Sequence, residues 1–239
     1  MHPVLVEPAA LAPGALIEPD HEELKHLRAR RAQPGDTVRL FDGDGGTGDG
    51  RLEALGRGMV IQVGVVDRAP PPARVALWVG AGDRERFGWL VEKAAELGVT
   101  ELLPLETERA VSVATRLRET HLEALRRRAR QAIKQSGAAW APRVLAPMPL
   151  TAVLPSEQQP REGARWLADA TGAAPPILPE GGAVTIVVGP EGGLTLEEIA
   201  LLRDRGFEPV RLAAHALRFE TAALAAAALV AAQRSRRHP

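Results

Sequence analysis

The run Thr185-Ile-Val-Val-Gly-Pro-Glu-Gly-Gly-Leu-Thr195 holds the strongest chemical signal in this 239-residue chain. An apolar, strand-like stretch stops at Gly189-Pro190, two more glycines follow, and Thr195 opens a helix-like stretch. Glycine lets main-chain N–H and C=O groups come close to a ligand, and open α/β sheets bind ligands beyond the carboxyl ends of their strands. An ordinary strand–helix turn would use the same residues, so both readings stand. No Gly-Lys-Ser/Thr follows, which excludes a Walker loop, and the spacing is not GxGxxG. Glu191 also places a negative charge in the loop, which disfavours a phosphate ligand.

A second cluster is Leu212-Ala-Ala-His-Ala-Leu-Arg-Phe-Glu-Thr-Ala222. Arg218 and Glu220 offer either an ion pair or a reactive pair, and Thr221 offers a helix cap. His215 is of the residue type suited to moving protons near neutrality. Small residues at 222, 223 and 225–228 allow a helix here to be closely enclosed. A third group is Arg126, Arg130 and Lys134, whose i, i+4 spacing puts three cations on one side of a helix. Such a side is either solvated or meets RNA phosphates. Lys93 reads as a local partner of Glu92 or Glu96, Asp83 and Arg84 as a cap or substrate contact, and His26 as a packing residue.

These groups need elements to hold them. From Arg74 onward, strand and helix patterns alternate. Strands are expected at Val75–Val79, Glu101–Leu105, Arg165–Asp169, Val184–Val188 and Glu208–Leu212. Helices are expected at Glu85–Leu97, Thr120–Gln135, Thr195–Arg205 and Thr221–Arg234, with Gly98 stopping the first. That alternation predicts a mostly parallel sheet covered on both faces. Pro147–Gly163 and Ala173–Gly182 read as loops.

Residues 1 to about 70 follow another pattern. Short strands are expected at Val4–Val6, Thr37–Phe41, Gly50–Ala54 and Met59–Val66, with Asp42–Gly50 as a turn-rich connection. One helix near His21–Arg31 interrupts them, with Asp20 as its N-cap. The sum is a small barrel-like domain, and Ala69-Pro-Pro-Pro-Ala73 reads as a stiff linker.

Composition narrows the function. With 3% aromatic residues and no tyrosine, a single-strand nucleic-acid site built on stacking is disfavoured. Thirty basic and thirty acidic residues cancel, so any RNA contact must come from a local patch. The absence of cysteine removes disulfides, cysteine-bound zinc and a thiol nucleophile. Six scattered histidines lack metal-ligand spacing, so no metal is expected. The apolar run Thr221–Ala232 is short of the ~20 residues that span a bilayer. Met1-His-Pro-Val lacks a signal pattern, so a cytoplasmic protein without membrane attachment is expected.

The motifs together resemble one family. Val188-Gly-Pro-Glu-Gly-Gly193 followed by Leu217-Arg-Phe-Glu-Thr-Ala222 is similar to the carboxyl-terminal signature of the RsmE family, bacterial 16S rRNA uridine N3-methyltransferases of the SPOUT superfamily. Gly82-Asp-Arg with Leu90–Val99, Pro104–Val111, and Gln135-Ser-Gly137 with Pro142 resemble further family segments. In the small domain, His26-Leu27, Arg30, Pro34-Gly-Asp36 and Phe41-Asp-Gly43 do so too.

The resemblance implies an α/β fold with two domains. Residues 1–70 would form a PUA-like, RNA-binding β-barrel, and residues 74–239 a SPOUT-type methyltransferase domain with a deep carboxyl-terminal trefoil knot. It implies S-adenosyl-L-methionine as methyl donor, bound among Asp169, Val188, Gly189, Glu191, Gly193, Leu212, Leu217, Thr221 and Ala222. It implies a homodimer acting on 16S rRNA of the small ribosomal subunit, with Arg126, Arg130 and Lys134 on RNA. Arg218 and Glu220 become the catalytic candidates: Arg218 to stabilise charge on the uracil ring or order the site, Glu220 to orient Arg218 or take the proton.

The chain also departs from the family pattern. Met1-His2-Pro3 stands where an arginine is usual, Ala138-Ala139-Trp140 follows Gly137 in place of arginine, and Leu212-Ala213-Ala214-His215 replaces Leu-Gly-Pro-Arg. Donor-site motifs are thus better kept than basic positions. Two alternatives follow: a SPOUT methyltransferase for another RNA position, or an inactive RNA-binding or ribosome-assembly module.

Overall fold

The computed structural model describes residues 1–56, 58–80, 83–109, 119–154 and 163–235. Of the motif residues, Gly82, Ala110 and Val111 fall outside these, as do residues 155–162 of the expected loop 147–163. The chain divides into two compact units. One is Met1–Pro72 with Arg130–Ala141; the other is Ala73–Ala129 with Pro142–Pro239.

In the first unit, β1 (His2–Leu5), β2 (Leu16–Ile17), β3 (Thr37–Phe41), β4 (Gly46–Leu55) and β5 (Gly58–Arg68) form one sheet in the order β1-β3-β4-β5-β2. Only β1 and β3 pair in parallel. Val4, Leu27, Val38, Leu40, Leu52 and Ile61 are fully buried and make its core. Helix α1 (His21–Ala29) starts where expected, with Asp20 accepting from Glu23 N at 2.8 Å.

The glycine-rich run Asp42–Gly50 is not one long turn. From Gly46 onward it is strand, because its glycines answer to packing. A Cβ on Gly50 would lie 2.5 Å from Ile61 Cγ2, and one on Gly46 would lie 2.1 Å from an oxygen of the buried Asp42.

The second unit is a parallel sheet. Strands β6 (Val75–Val79), β7 (Glu101–Glu106), β8 (Arg143–Val144), β10 (Ala164–Ala173), β11 (Val184–Val188) and β12 (Glu208–Val210) lie in the order β12-β10-β11-β6-β7-β8, and β9 (Met148–Pro149) pairs with β7. Residues 75–79 and 184–188 are buried throughout, as a sheet covered on both faces requires. Alternate side chains feed two cores. Val75, Leu77, Val79, Ile186 and Val188 face one; Ala76, Trp78 and Val187 face the other.

The first core is closed by α2 (Arg84–Glu96), the amino-terminal half of α3 (Glu119–Ser136) and the last helix, α6 (Phe219–Ser235). In α2, Phe87, Leu90, Val91 and Ala94 face inward, Asp83 caps the start through Arg86 N at 2.8 Å, and Gly98 follows the end at φ 73°. In α6, Ala222, Ala223, Ala226 and Ala227 are buried, which lets its backbone lie close to its neighbours. The short helix α4 (Leu150–Val153) and α5 (Leu196–Asp204) supply residues to the second core. Strand β9 and α4 occupy ground read as loop, since Met148, Leu150 and Val153 have a core to join.

Candidate functional site

Beyond the carboxyl ends of β10, β11 and β12 lies a cavity of about 350 Å³. This is where open α/β sheets bind ligands, and the size lies in the ~300–1,000 Å³ range of small-molecule sites.

The first wall is the loop after β11. Gly193 N donates to Pro190 O at 2.8 Å, closing a tight turn in which Gly193 has φ 69°. That left-handed conformation is one glycine adopts without strain. The β6 exit presses on the same loop: Gly80 N donates to Val188 O at 2.9 Å, and a Cβ on Gly80 would sit 2.6 Å from Pro190 Cδ. Thr195 then caps α5 in a reciprocal box, its hydroxyl accepting from Glu198 N at 3.2 Å while the Glu198 carboxylate accepts from Thr195 N at 2.8 Å.

The second wall is β10. Leu167, Ala168 and Asp169 line the cavity where pairing with β12 shifts register. Asp169 Oδ1 accepts from both the backbone N–H and the hydroxyl of Thr171, each at 2.7 Å. Those hydrogen bonds hold the Asp169 carboxyl below its ordinary value, so it is anionic at neutral pH. The third wall runs from Leu212 through Leu217 to Phe219 and Ala222 at the start of α6.

Among the described residues, the ionisable side chains on the cavity lining are Asp169, Glu191 and His215, with no lysine or arginine. The walls are otherwise backbone, alanine and aliphatic groups. Such a cavity suits a small molecule with an apolar body and positive charge.

Of the nine residues expected to hold the donor, Asp169, Val188, Gly189, Glu191, Gly193, Leu212, Leu217 and Ala222 line this one cavity. Thr221 does not. It is exposed in the first turn of α6, which begins at Phe219, so it is not the N-cap either.

The catalytic candidates separate. Arg218 is exposed just before α6, its carbonyl accepting from Ala222 N at 2.9 Å, and no group among the described residues bonds its guanidinium. Glu220 is buried, 7% exposed. Its Oε1 lies 4.0 Å from Arg86 Nε, and its Oε2 has no hydrogen-bond partner among the described residues. The expected orientation of Arg218 by Glu220 is therefore not what the structure shows. Successive positions 218 and 220 point apart on a helix start, and α2 brings Arg86 to Glu220 instead.

Of the basic row on α3, Lys134 is enclosed by protein, Arg130 is half-buried and Arg126 is exposed. Within the first unit, Lys134 Nζ meets both oxygens of Glu23 at 2.7 and 2.8 Å, with side chains 7% and 1% exposed. Arg130 reaches Glu7 at 3.1 Å and the Val6 carbonyl at 3.1 Å. In the second unit, Arg126 Nε donates to Val144 O at 3.1 Å. The i, i+4 row thus runs from the exposed Arg126 to the enclosed Lys134, and Arg127 beside it is exposed too. Lys93 pairs locally with Glu92 at 2.9 Å and Glu96 at 2.7 Å, as its spacing suggested.

Two arginines carried no sequence signal for their roles. Arg86 pairs with Glu220, and Arg109 donates to the Gly192 carbonyl at 2.7 Å and to Leu194 O at 3.4 Å. Their partners lie more than 80 residues away in sequence, beyond any periodicity. Among the described residues there is no group of three or more His, Asp and Glu placed to hold a metal, and no helix long and apolar enough to cross a membrane.

Comparison with known proteins gives the same picture. Residues 69–231 match the family described as RNA methyltransferase domain, and residues 19–61 the RNA methyltransferase PUA domain. A ribosomal RNA small subunit methyltransferase E of Mycobacterium bovis is 31% identical, over 93% of this chain and 88% of its own. A crystal structure of a probable rRNA methyltransferase from Porphyromonas gingivalis superposes with a TM-score of 0.84 at 27% identity, covering all of both chains. That of a ribosomal RNA small subunit methyltransferase E from Neisseria gonorrhoeae, bound to S-adenosyl methionine, gives 0.82 at 26% identity over 96% of both chains. With the family match covering well over half its length, this chain belongs to the ribosomal RNA small subunit methyltransferase E family of RNA methyltransferases.

Proposed function

We propose that this protein methylates N3 of one uridine in 16S rRNA, taking the methyl group from S-adenosyl-L-methionine held in the cavity at the ends of β10, β11 and β12. The observation that carries this reading is the cavity itself. Near-bare backbone closes two sides of it, and its charged side chains are the carboxylates Asp169 and Glu191. The donor is a sulfonium cation with a good leaving group, so the residues around it have mainly to bind and aim it. Backbone at Gly189 and Gly193 can approach it closely, Leu212 and Leu217 cover its apolar parts, and Asp169 and Glu191 complement its positive charge.

Uridine N3 carries a proton at neutral pH that must leave before or during attack. The charge then spreads over N3, O2 and O4. Arg218 stands exposed beside the third wall and is permanently protonated, so its fork of donors would stabilise that charge. Glu220, paired with Arg86, fixes the start of α6 from which Arg218 projects.

The enclosure of α6 by close-packed alanines, and the crowding at Gly172, where a Cβ would lie 2.4 Å from Pro209 C, support a knotted carboxyl-terminal segment. A cytoplasmic homodimer, with the first unit assisting RNA binding, completes the reading. On α3 the exposed Arg126 and Arg127 are better placed to meet phosphates than the enclosed Lys134.

The test incubates purified protein with small ribosomal subunits and labelled donor, then identifies the nucleoside made. N3-methyluridine at one position supports the reading. Methylation of a ribose or another base moves it to a different RNA target, and donor binding without transfer leaves an inactive RNA-binding module.

A further inference from the structure

We infer that Arg109 is a positioning residue for the methyl-donor pocket, clamping the loop after β11 from outside the cavity lining; this rests on the donor reading above. Arg109 follows β7, and its guanidinium donates to Gly192 O at 2.7 Å and, more loosely, to Leu194 O at 3.4 Å. Neither Arg109 nor Gly192 lines the cavity, whereas Glu191, Gly193 and Leu194 do. The clamp therefore acts from outside the lining.

Side chain and loop also touch. A Cβ on Gly192 would lie 3.4 Å from Arg109 Cβ and 3.6 Å from Cδ, so the arginine stem lies against bare backbone. Next to it, Glu108 N donates at 2.8 Å to Glu198 Oε1, while the other carboxylate oxygen of Glu198 holds Thr195 N at 2.8 Å. Successive residues of the β7 exit thus grip both ends of Gly192–Thr195. A loop of two adjacent glycines has much conformational freedom to lose on ligand binding. Fixing its carbonyls beforehand removes that cost from the donor's affinity.

A guanidinium fork can reach two carbonyls from one position, which an ammonium does less well. Arg109→Ala and Arg109→Lys should therefore form a graded pair. The first measurement is donor binding by calorimetry in the absence of RNA. Arg109→Ala should weaken it roughly tenfold, the order of one charged hydrogen bond, with Arg109→Lys recovering part of the loss. The KM for donor should rise while kcat at saturating donor and the KM for RNA stay within about twofold, on the scale where tenfold is 1.4 kcal/mol.

The second measurement needs no donor. Amide exchange at Gly193, bonded to Pro190 O, should speed up in Arg109→Ala without a general rise elsewhere in the sheet. Unchanged donor affinity, or unchanged Gly193 exchange, would overturn the clamp. Failure of the unsubstituted protein to bind donor, with Gly193 exchange still responding to Arg109, would instead strike the donor reading and leave the loop contact standing.

Discussion

The rim of the cavity and the basic side of α3 use side chains in opposite ways. The rim is built from Gly189, Gly193, Ala213 and Ala216, residues with almost nothing to offer but backbone, and it encloses the site. The α3 side carries Arg126, Arg130 and Lys134, three cations in register, and their donors are directed at protein acceptors. Lys134 is the clearest case. Beside a carboxylate that is 1% exposed, its charge neutralises a buried group and is not offered to a phosphate. Charge density here marks packing at Lys134, while small residues at strand ends mark the rim of a cavity.

That contrast can be broken by substitution. The largest effect is expected at Arg218, whose guanidinium has no protein partner among the described residues. Arg218→Ala should lower turnover on small-subunit RNA by about 10²- to 10³-fold, as loss of a charge-stabilising donor does. Its melting temperature and donor affinity should hold. Undiminished turnover would remove Arg218 from the chemistry.

Lys134→Met comes next and should act on stability. Leaving Glu23 buried without its cation costs about 3 kcal/mol, read in denaturant unfolding, and should not alter the salt slope of RNA binding. Arg127→Gln, on the exposed side, should do the reverse and flatten that slope by about one. If Lys134→Met instead flattens the slope at full stability, the division drawn between rim and helix is wrong.

At the rim, Gly193→Val forces a branched residue into φ 69°, at about 1–2 kcal/mol of local strain. Donor affinity should fall about tenfold or more, with a smaller change in melting.

The smallest effect concerns His26. Its ring is held below its ordinary value of 6.5, first by burial and then by the Lys134 and Arg30 cations, against an opposing pull from Glu23, and its buried Nε2 has no partner among the described residues. A depressed value means that the native protein binds fewer protons than the unfolded chain. Stability from this group is therefore complete above about pH 6.5 and is lost as pH falls toward the depressed value. His26→Gln should flatten the melting temperature between pH 7 and 5; a profile as steep as before would assign the acid sensitivity elsewhere.

Much of this was legible in the sequence because it is local. Val75–Val79, Val184–Val188 and Thr37–Phe41 are strands over the ranges their apolar runs suggested. Asp20, Asp83 and Thr195 cap helices because a side-chain oxygen three residues before a free N–H is a matter of spacing. Eight of the residues singled out by motif resemblance, Asp169 within β10 among them, line one cavity.

What stayed hidden depends on partners distant in sequence. Nothing local pairs Glu220 with Arg86, or Arg109 with Gly192. Nothing local tells Gly50 that Ile61 will crowd it into a strand. The placement of Arg130–Ala141 with the amino-terminal unit is of the same kind, since α3 is one unbroken helix divided between the two units.

The central claim, that the cavity serves methylation of one uridine in small-subunit RNA, is tested most directly in cells lacking this protein. Mass spectrometry of their 16S rRNA should show the loss of a single N3-methyluridine, restored by the unsubstituted chain and not by Arg218→Ala. An unaltered N3-methyluridine, with or without the protein, would contradict it.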